Sequence, residues 1–317
     1  KQWSEVLGVT NVGNINDEIT AGNGGELIKI AEALHEKKLA GIADIIKKRK
    51  KTKIVLIAGP SSSGKTTFSK RLSVQLKVSG LKPMQISLDN YFVDRELTPK
   101  DEKGDYDFES IDALDLETFG QNMIDLIDGK EVDLPSFSFE KGKRFYEGNK
   151  IKITDEHIII IEGIHALNPK LLQKIDSKYK FKIYVSALTQ IGIDLHNRIP
   201  TTDNRLIRRI VRDNRYRGYS ALDTLKRWPS VRRGENKYIF PFQEEADIMF
   251  NSALLFELGV LKDYVVPLLT QIDETHREYS EAKRLLKFLS YFHPIPDKEI
   301  PPTSILREFL TGSSFHY

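Results

Sequence analysis

Ile54-Val55-Leu56-Ile57-Ala58-Gly59-Pro60-Ser61-Ser62-Ser63-Gly64-Lys65-Thr66-Thr67 is the stretch on which the fold turns. Its five leading apolar residues have the length and composition of a buried strand. Gly59 to Thr66 then fits the phosphate-binding loop pattern G-x-x-x-x-G-K-[ST], and the residues after it read as a helix. In that setting the glycines permit a tight loop whose N–H groups face an anion. Lys65 can reach the outer phosphates of a nucleotide, and the Thr66 hydroxyl can bind Mg²⁺. An ordinary Gly/Ser turn would need neither the strand nor the helix.

Working outward, further β-rich runs at 84–88, 158–161 and 181–185 alternate with helical stretches. That alternation predicts an α/β fold, a mostly parallel doubly wound sheet with helices on both faces. The unbroken Ile158-Ile159-Ile160-Ile161 is what a strand buried on both faces requires. On the amino side, apolar residues across 16–50 recur at three- and four-residue steps, as in amphipathic helices, with Gly22, Gly24 and Gly25 marking a turn. The basic run 47–53 reads as a solvated helix end and linker rather than a nucleic-acid site. On the carboxyl side, 254–289 reads helical, and Pro294, Pro296, Pro301 and Pro302 interrupt the pattern before a short segment at 305–310. The expected organisation is a helical N-terminal segment at 1–50, a domain built on the phosphate-binding loop at 51–290, and a C-terminal extension at 291–317.

Composition narrows the chemistry. The 317 residues are 40% hydrophobic and 29% charged, as in a globular domain, and 48 Lys and Arg against 45 Asp and Glu leave a net charge of +3. A surplus this small makes nucleic acid an unexpected partner. With no cysteine, disulfides, thiolate metal sites and cysteine nucleophiles are excluded. No apolar run approaches the ~20 residues of a membrane helix, so a cytoplasmic protein is expected. Because the chain begins at Lys1 without a signal segment, it is expected to be part of something longer. The histidines at 35, 157, 165, 196, 276, 293 and 316 form no metal-ligand spacing, and no Ser-centred hydrolase elbow is present. Trp3, Trp228 and the pairs Phe137/Phe139 and Phe240/Phe242 read as packing residues.

Three further features belong with the loop. Asp89 closes the second predicted strand and Glu162 the isoleucine strand, and ligands of open α/β sheets gather outside the carboxyl ends of strands. Asp89 there can take a proton from an attacking hydroxyl or help hold Mg²⁺; Glu162 can bind Mg²⁺ or orient a hydroxyl. Arg205, Arg208, Arg209 and Arg212 share one helix face, with Arg215 and Arg217 beyond. A lid that clamps phosphate, pairing with Asp203 and Asp213, or a nucleic-acid track would each account for them, and the loop motif favours the lid.

Together these pieces resemble the uridine kinase and phosphoribulokinase family of P-loop kinases. The resemblance covers roughly 53–269. It is carried by Gly59 to Thr67, Leu88-Asp89-Asn90-Tyr91-Phe92, Tyr106-Asp107-Phe108-Glu109 with Asp112, and Leu134-Pro135-Ser136-Phe137-Ser138-Phe139. Ile161-Glu162-Gly163-Ile164, Arg205 to Asp213 with Arg217-Gly218, and Ala246-Asp247 complete it. The flanks look like longer bacterial members in which a TGS segment, similar to part of threonyl-tRNA synthetase, precedes the kinase.

The resemblance implies a P-loop fold with an arginine-rich lid, ATP and Mg²⁺ as cofactors, and phosphorylation of a small-molecule hydroxyl. It makes Asp89, Lys65, Arg209, Arg212 and Glu162 catalytic, and assigns the nucleotide to Gly59, Ser61, Ser62, Ser63, Gly64, Lys65, Thr66, Thr67, Arg217 and Asp247, the last beside the adenine. Acceptor contacts fall to Asp89, Tyr91, Glu109, Phe137, Arg144, Glu162 and Arg209, and Mg²⁺ to Thr66, Asp89 and Glu162. Glu109, Phe137 and Gly142 stand where uridine kinases carry an aspartate, a tyrosine and a base-reading histidine. Tyr219 and Arg227 also depart from that pattern. The expected activity is therefore ATP-dependent phosphoryl transfer to the 5′-hydroxyl of a nucleoside-like acceptor. A kinase of another sugar or small alcohol, or an ATP-binding regulatory or RNA-associated module, is the alternative. A homo-oligomer is compatible with all three.

Overall fold

In the computed structural model, residues 8–100, 104, 106–138 and 140–316 are described. Two helices come first, α1 (Val12–Thr20), capped by the Asn11 side chain on the Asn14 amide, and α2 (Gly24–Lys48). Then follow β1 (Ile54–Ala58), α3 (Lys65–Val78), β2 (Lys82–Ser87) and α4 (Leu116–Ile127). Short strands β3 (Val132–Asp133), β4 (Ser136–Ser138), β5 (Lys143–Phe145) and β6 (Lys150–Ile151) precede the long β7 (His157–Glu162) and β8 (Lys180–Ser186). Helices α5 (Thr201–Arg217) and α6 (Ala221–Tyr238), strand β9 (Ile248–Asn251), and helices α7 (Glu257–Leu269) and α8 (Tyr279–Ser290) complete the order.

The central sheet has five parallel strands in the order β2-β7-β1-β8-β9. Every residue of β1 is buried, and its side chains alternate between two cores. Val55 and Ile57 enter the core shared with α1, α2, α3, α5, α7 and α8, whereas Ile54, Leu56 and Ala58 face the core under α4. The isoleucines of β7 divide the same way, Ile158 and Ile160 to the first core, Ile159 and Ile161 to the second. The doubly wound α/β class expected from the sequence is therefore the fold, and the continuous apolar strands are explained by burial on both faces.

In register, Ile57 pairs with Glu162 and Ser87 with Glu162, so β1, β2 and β7 release the chain side by side at the carboxyl edge. The phosphate-binding loop, Asp89 and Glu162 all leave the sheet there. Two antiparallel ribbons, β3 with β6 and β4 with β5, lie outside the sheet.

Helix α2 presents Leu27, Ile28, Ala31, Leu39, Ile42, Ala43 and Ile46 to the first core, and Arg71 of α3 is buried against its Glu32 and Glu36 at 3.4 and 2.8 Å. Ile305, Leu306, Phe309 and Leu310 enter that core as well, fully buried. Neither 50/51 nor 290/291 coincides with a break in packing. The basic run splits as a helix end and link should: Arg49 pairs with Asp247 at 2.8 Å and Lys53 with Asp155 at 2.9 Å. The stretch 254–289 is two helices, interrupted around 270–278. Trp3 and Phe139, read as packing residues, lie outside the described residues. Among the described residues no helix is long and apolar enough to cross a membrane.

Candidate active site

The loop between β1 and α3 is shaped by close approach. A Cβ on Gly59 would lie 2.1 Å from the Val185 carbonyl oxygen, so only glycine lets the loop pass beside β8. Gly64 adopts φ +84° at the N-cap of α3, and Ser62 takes φ 59°, the left-handed region.

Three successive carbonyls of this loop are held from behind. The Arg205 guanidinium donates to Ser61 O at 3.2 Å, Arg208 donates to Ser62 O at 3.3 Å, and the Ser252 hydroxyl donates to Ser63 O. These bonds fix the loop's conformation from the side of the core, and within the loop the Ser63 amide donates to Pro60 O at 3.2 Å. Arg205 forms a two-point pair with Glu235, and Arg208 one with Glu257; all four side chains are almost wholly buried. Glu235 also accepts the Ser61 amide at 2.9 Å.

The expected lid face therefore divides. Arg205 and Arg208 are internal props, neutralised by glutamates 30 and 49 residues away in sequence, and stand outside the cavity lining. Arg209, Arg212 and Arg217 line a cavity of about 540 Å³ together with Lys65, Thr66, Asp89 and Glu162. All three arginines converge on one buried carboxylate, Asp213, at 3.1, 2.9 and 3.5 Å. Asp203, offered as another partner, is taken by Arg284 instead.

Around the loop, Thr66 Oγ1 donates to Glu162 Oε2 at 3.3 Å, and Arg209 donates to Ser61 Oγ at 2.7 Å. Asp89 is the second residue of the 3-10 turn Leu88–Tyr91 after β2, where the Ser87 hydroxyl accepts its amide. Its carboxyl faces the cavity, and its cleft setting raises its pKa, with Lys65 opposing. Glu162 is raised too, first by desolvation; Lys65 opposes this, and the Glu308 and Asp89 charges add to it. The lining also includes Phe92, Phe108, Leu114, Ile239, Glu109 and His165. Desolvation raises Glu109 against the pull of Arg209, and pushes His165 down to about 4, which makes it a neutral imidazole at pH 7.

The cavity thus gathers Ser61, Ser62, Gly64, Lys65, Thr66, Asp89, Glu109, Glu162, Arg209, Arg212 and Arg217. Gly59, Ser63 and Thr67 lie just behind, shaping the loop. Four further residues named from the resemblance stand farther from it. Tyr91 is fully buried, with its hydroxyl accepting from Asn122 at 3.1 Å. Phe137 sits behind Phe92, ring to ring at 5.7 Å, and Arg144 is held by Asp115 at 2.7 Å. Asp247 lies at the amino end of the edge strand β9, away from the loop, where its carboxylate accepts from Arg49 and from the Lys182 amide, both at 2.8 Å. A charged pair and a backbone bond engage both its oxygens, and it stands outside the cavity lining. Conversely, Glu235, Glu308 and His165 reach the cavity with no motif to announce them.

A parallel α/β sheet carrying this loop, with a carboxylate at the end of the next strand, defines a P-loop kinase-type site. The chain belongs to the Phosphoribulokinase / Uridine kinase family, whose profile it matches over residues 54–255, and is a small-molecule kinase of that family. Among relatives, it is 30% identical over 201 residues to a uridine kinase of Staphylococcus aureus (strain JH9), covering 63% of this chain and 87% of that one. A solved Bacillus stearothermophilus structure with the provisional name uridine kinase aligns at TM-score 0.36 and 20% identity, covering 63% and 89%. A Silicibacter sp. TM1040 structure, provisionally a fructose transport system kinase, aligns at TM-score 0.45 and 18% identity, covering 67% and 98%.

Proposed function

We propose that the protein transfers the γ-phosphoryl group of ATP to a hydroxyl of a small uncharged acceptor, the 5′-hydroxyl of a nucleoside being the leading candidate. The observation that carries this reading is the convergence of Lys65, Thr66, Asp89 and Glu162 on one cavity at the carboxyl edge of the sheet. Asp89 accepts the proton of the attacking hydroxyl while its oxygen forms the new bond to phosphorus and the bond to the ADP oxygen breaks. Lys65, Arg209, Arg212 and Arg217 offset the charge spread over the phosphoryl oxygens.

The hydroxyl of Thr66 and the carboxylate of Glu162 supply hard oxygen donors, which suits Mg²⁺. Among the described residues no three His, Asp or Glu side chains gather at a metal-sized point, in keeping with an ion that takes most of its ligands from phosphate and water. When bound, Mg²⁺ would neutralise phosphate charge.

The relatives named uridine kinase favour a nucleoside acceptor. A different alcohol is favoured by Gly142, which has no side chain where uridine kinases carry a base-reading histidine, and where an added Cβ would meet Arg95 at 2.9 Å. The test is acceptor-dependent ADP release with Mg-ATP over a panel of nucleosides, sugars and small alcohols, with Asp89→Asn as control. Release that depends on an acceptor and disappears in the control supports the reading. ATP binding with no acceptor in the panel refutes it.

A further inference from the structure

The C-terminal segment places a carboxylate on the phosphate-binding loop's own helix. Glu308 Oε2 accepts from the Thr67 amide at 3.1 Å and from the Thr67 hydroxyl at 2.7 Å. Thr67 is the third residue of α3, in the first turn, where helix amides point out of the helix toward its N-terminus, and Phe68 N follows with the bond to Gly64 O at 3.0 Å. Such amides, at the positive end of the helix, are the donors that a phosphate-binding helix offers an anion. Glu308 lines the same cavity as Lys65, Thr66 and Arg217.

Nothing about this delivery is loose. Ile305 packs against Gly64 so closely that a Cβ there would lie 2.5 Å from its Cγ2. The Ser304 hydroxyl donates to Glu32, which also pairs with Arg71 of α3, and the Phe309 ring lies 5.0 Å from the Arg208 guanidinium. The backbone of the segment is thus pinned by buried neighbours, and Glu308 can leave Thr67 only by rotating its side chain.

We propose that the Glu308 carboxylate stands in for a phosphate oxygen on the Thr67 amide and must swing away before a nucleotide polyphosphate seats, so that the C-terminal segment carries an autoinhibitory contact. One amide cannot serve two anions, and a carboxylate left beside bound phosphate repels it. The inference rests on the reading of this cavity as a nucleotide site.

The test compares wild type with Glu308→Ala and Glu308→Gln by titration calorimetry against ATP, pyrophosphate and adenosine. Removing a competing charge-assisted hydrogen bond should tighten ATP and pyrophosphate by about 10-fold, with the adenosine affinity unchanged. Glu308→Gln keeps the side-chain length and an acceptor oxygen without the charge, so it decides the matter should Glu308→Ala not fold; its expected tightening is smaller but of the same sign. Unchanged or weaker binding of ATP and pyrophosphate by a folded variant overturns the inference, as does a loss shared by adenosine, which would make Glu308 a ligand of the nucleotide itself. Equal binding by wild type and variants overturns this inference alone. Failure of every protein to bind either phosphate compound overturns the nucleotide-site reading with it.

Discussion

Arg205 and Glu235 clasp a single loop residue between them: the guanidinium donates to the carbonyl of Ser61 while the carboxylate accepts its amide. Two charges, one early in α5 and one near the end of α6, fix the two peptide groups that flank Ser61 in the phosphate-binding loop. Neither charge is exposed, and each is satisfied chiefly by the other.

Breaking this pair from either side should leave an uncompensated charge in the interior. Arg205→Met and Glu235→Ala are each expected to cost about 3–5 kcal/mol of stability. Urea denaturation of the two variants measures it. Losses under about 1 kcal/mol would mean that the pair behaves as a surface ion pair and does not hold the loop.

Asp89→Asn should lower kcat by roughly 10² to 10⁴ while ATP affinity is nearly kept, because the amide cannot take the proton. Steady-state kinetics with ATP and the best acceptor varied separately give the split. Unchanged turnover removes Asp89 from the role of base.

The pH profile should lack a histidine break. His165 is pushed down to about 4, so its neutral form persists throughout the range above. Burial raises Asp89, so activity should fall with falling pH through a midpoint above the ordinary aspartate value of about 3.9. A profile of kcat/KM whose acid limb is centred near 6.5 and disappears in His165→Asn would contradict this.

Stability should move the opposite way at Glu162. Its pKa is raised in the folded protein, so the protonated form is favoured by folding, and that contribution is present below the unfolded value and lost as pH rises through the folded one. Glu162→Gln, neutral at every pH, is therefore expected to melt higher than wild type at pH 7 in the absence of ligand, with the difference shrinking toward pH 4. Thermal melts across that interval report the sign.

Truncation after Ser290 should do more than shorten a tail. It removes Ile305, Leu306, Phe309 and Leu310, all fully buried. At about 1.5–3 kcal/mol for each buried apolar side chain, the loss rivals the whole stability of an ordinary domain. The truncated protein is expected to be insoluble or unfolded by circular dichroism; a cooperative melt near the wild-type temperature would place the segment outside the core.

Much of this arrangement was legible because its signals are local. The five apolar residues before Gly59, the isoleucine run before Glu162 and the loop motif itself each occupy a few adjacent positions, and strand burial turns them into one edge of one sheet. Asp89 could be placed by the end of its strand alone. What escaped is long-range. Arg205 and Arg209 look alike on a helical wheel, and only the glutamate on α6 makes one a prop and leaves the other to the cavity. Glu308 lies 241 residues from Thr67, in a segment whose prolines read as an interruption. The short strand β9 was missed because its four residues carry no periodicity long enough to register, and with it the engaged position of Asp247. Tyr91 and Arg144 were placed by resemblance, and their partners Asn122 and Asp115 on and beside α4 turn them away from the cavity.

The single carboxylate shared by Arg209, Arg212 and Arg217 has a consequence for how readily a reaction could begin. Long flexible cations ordinarily surrender rotamer freedom only when an anion arrives, and that loss is subtracted from affinity. Here Asp213 has already ordered them during folding. An arriving anion would therefore meet side chains already set in place, so little side-chain ordering remains to be done at the moment of encounter.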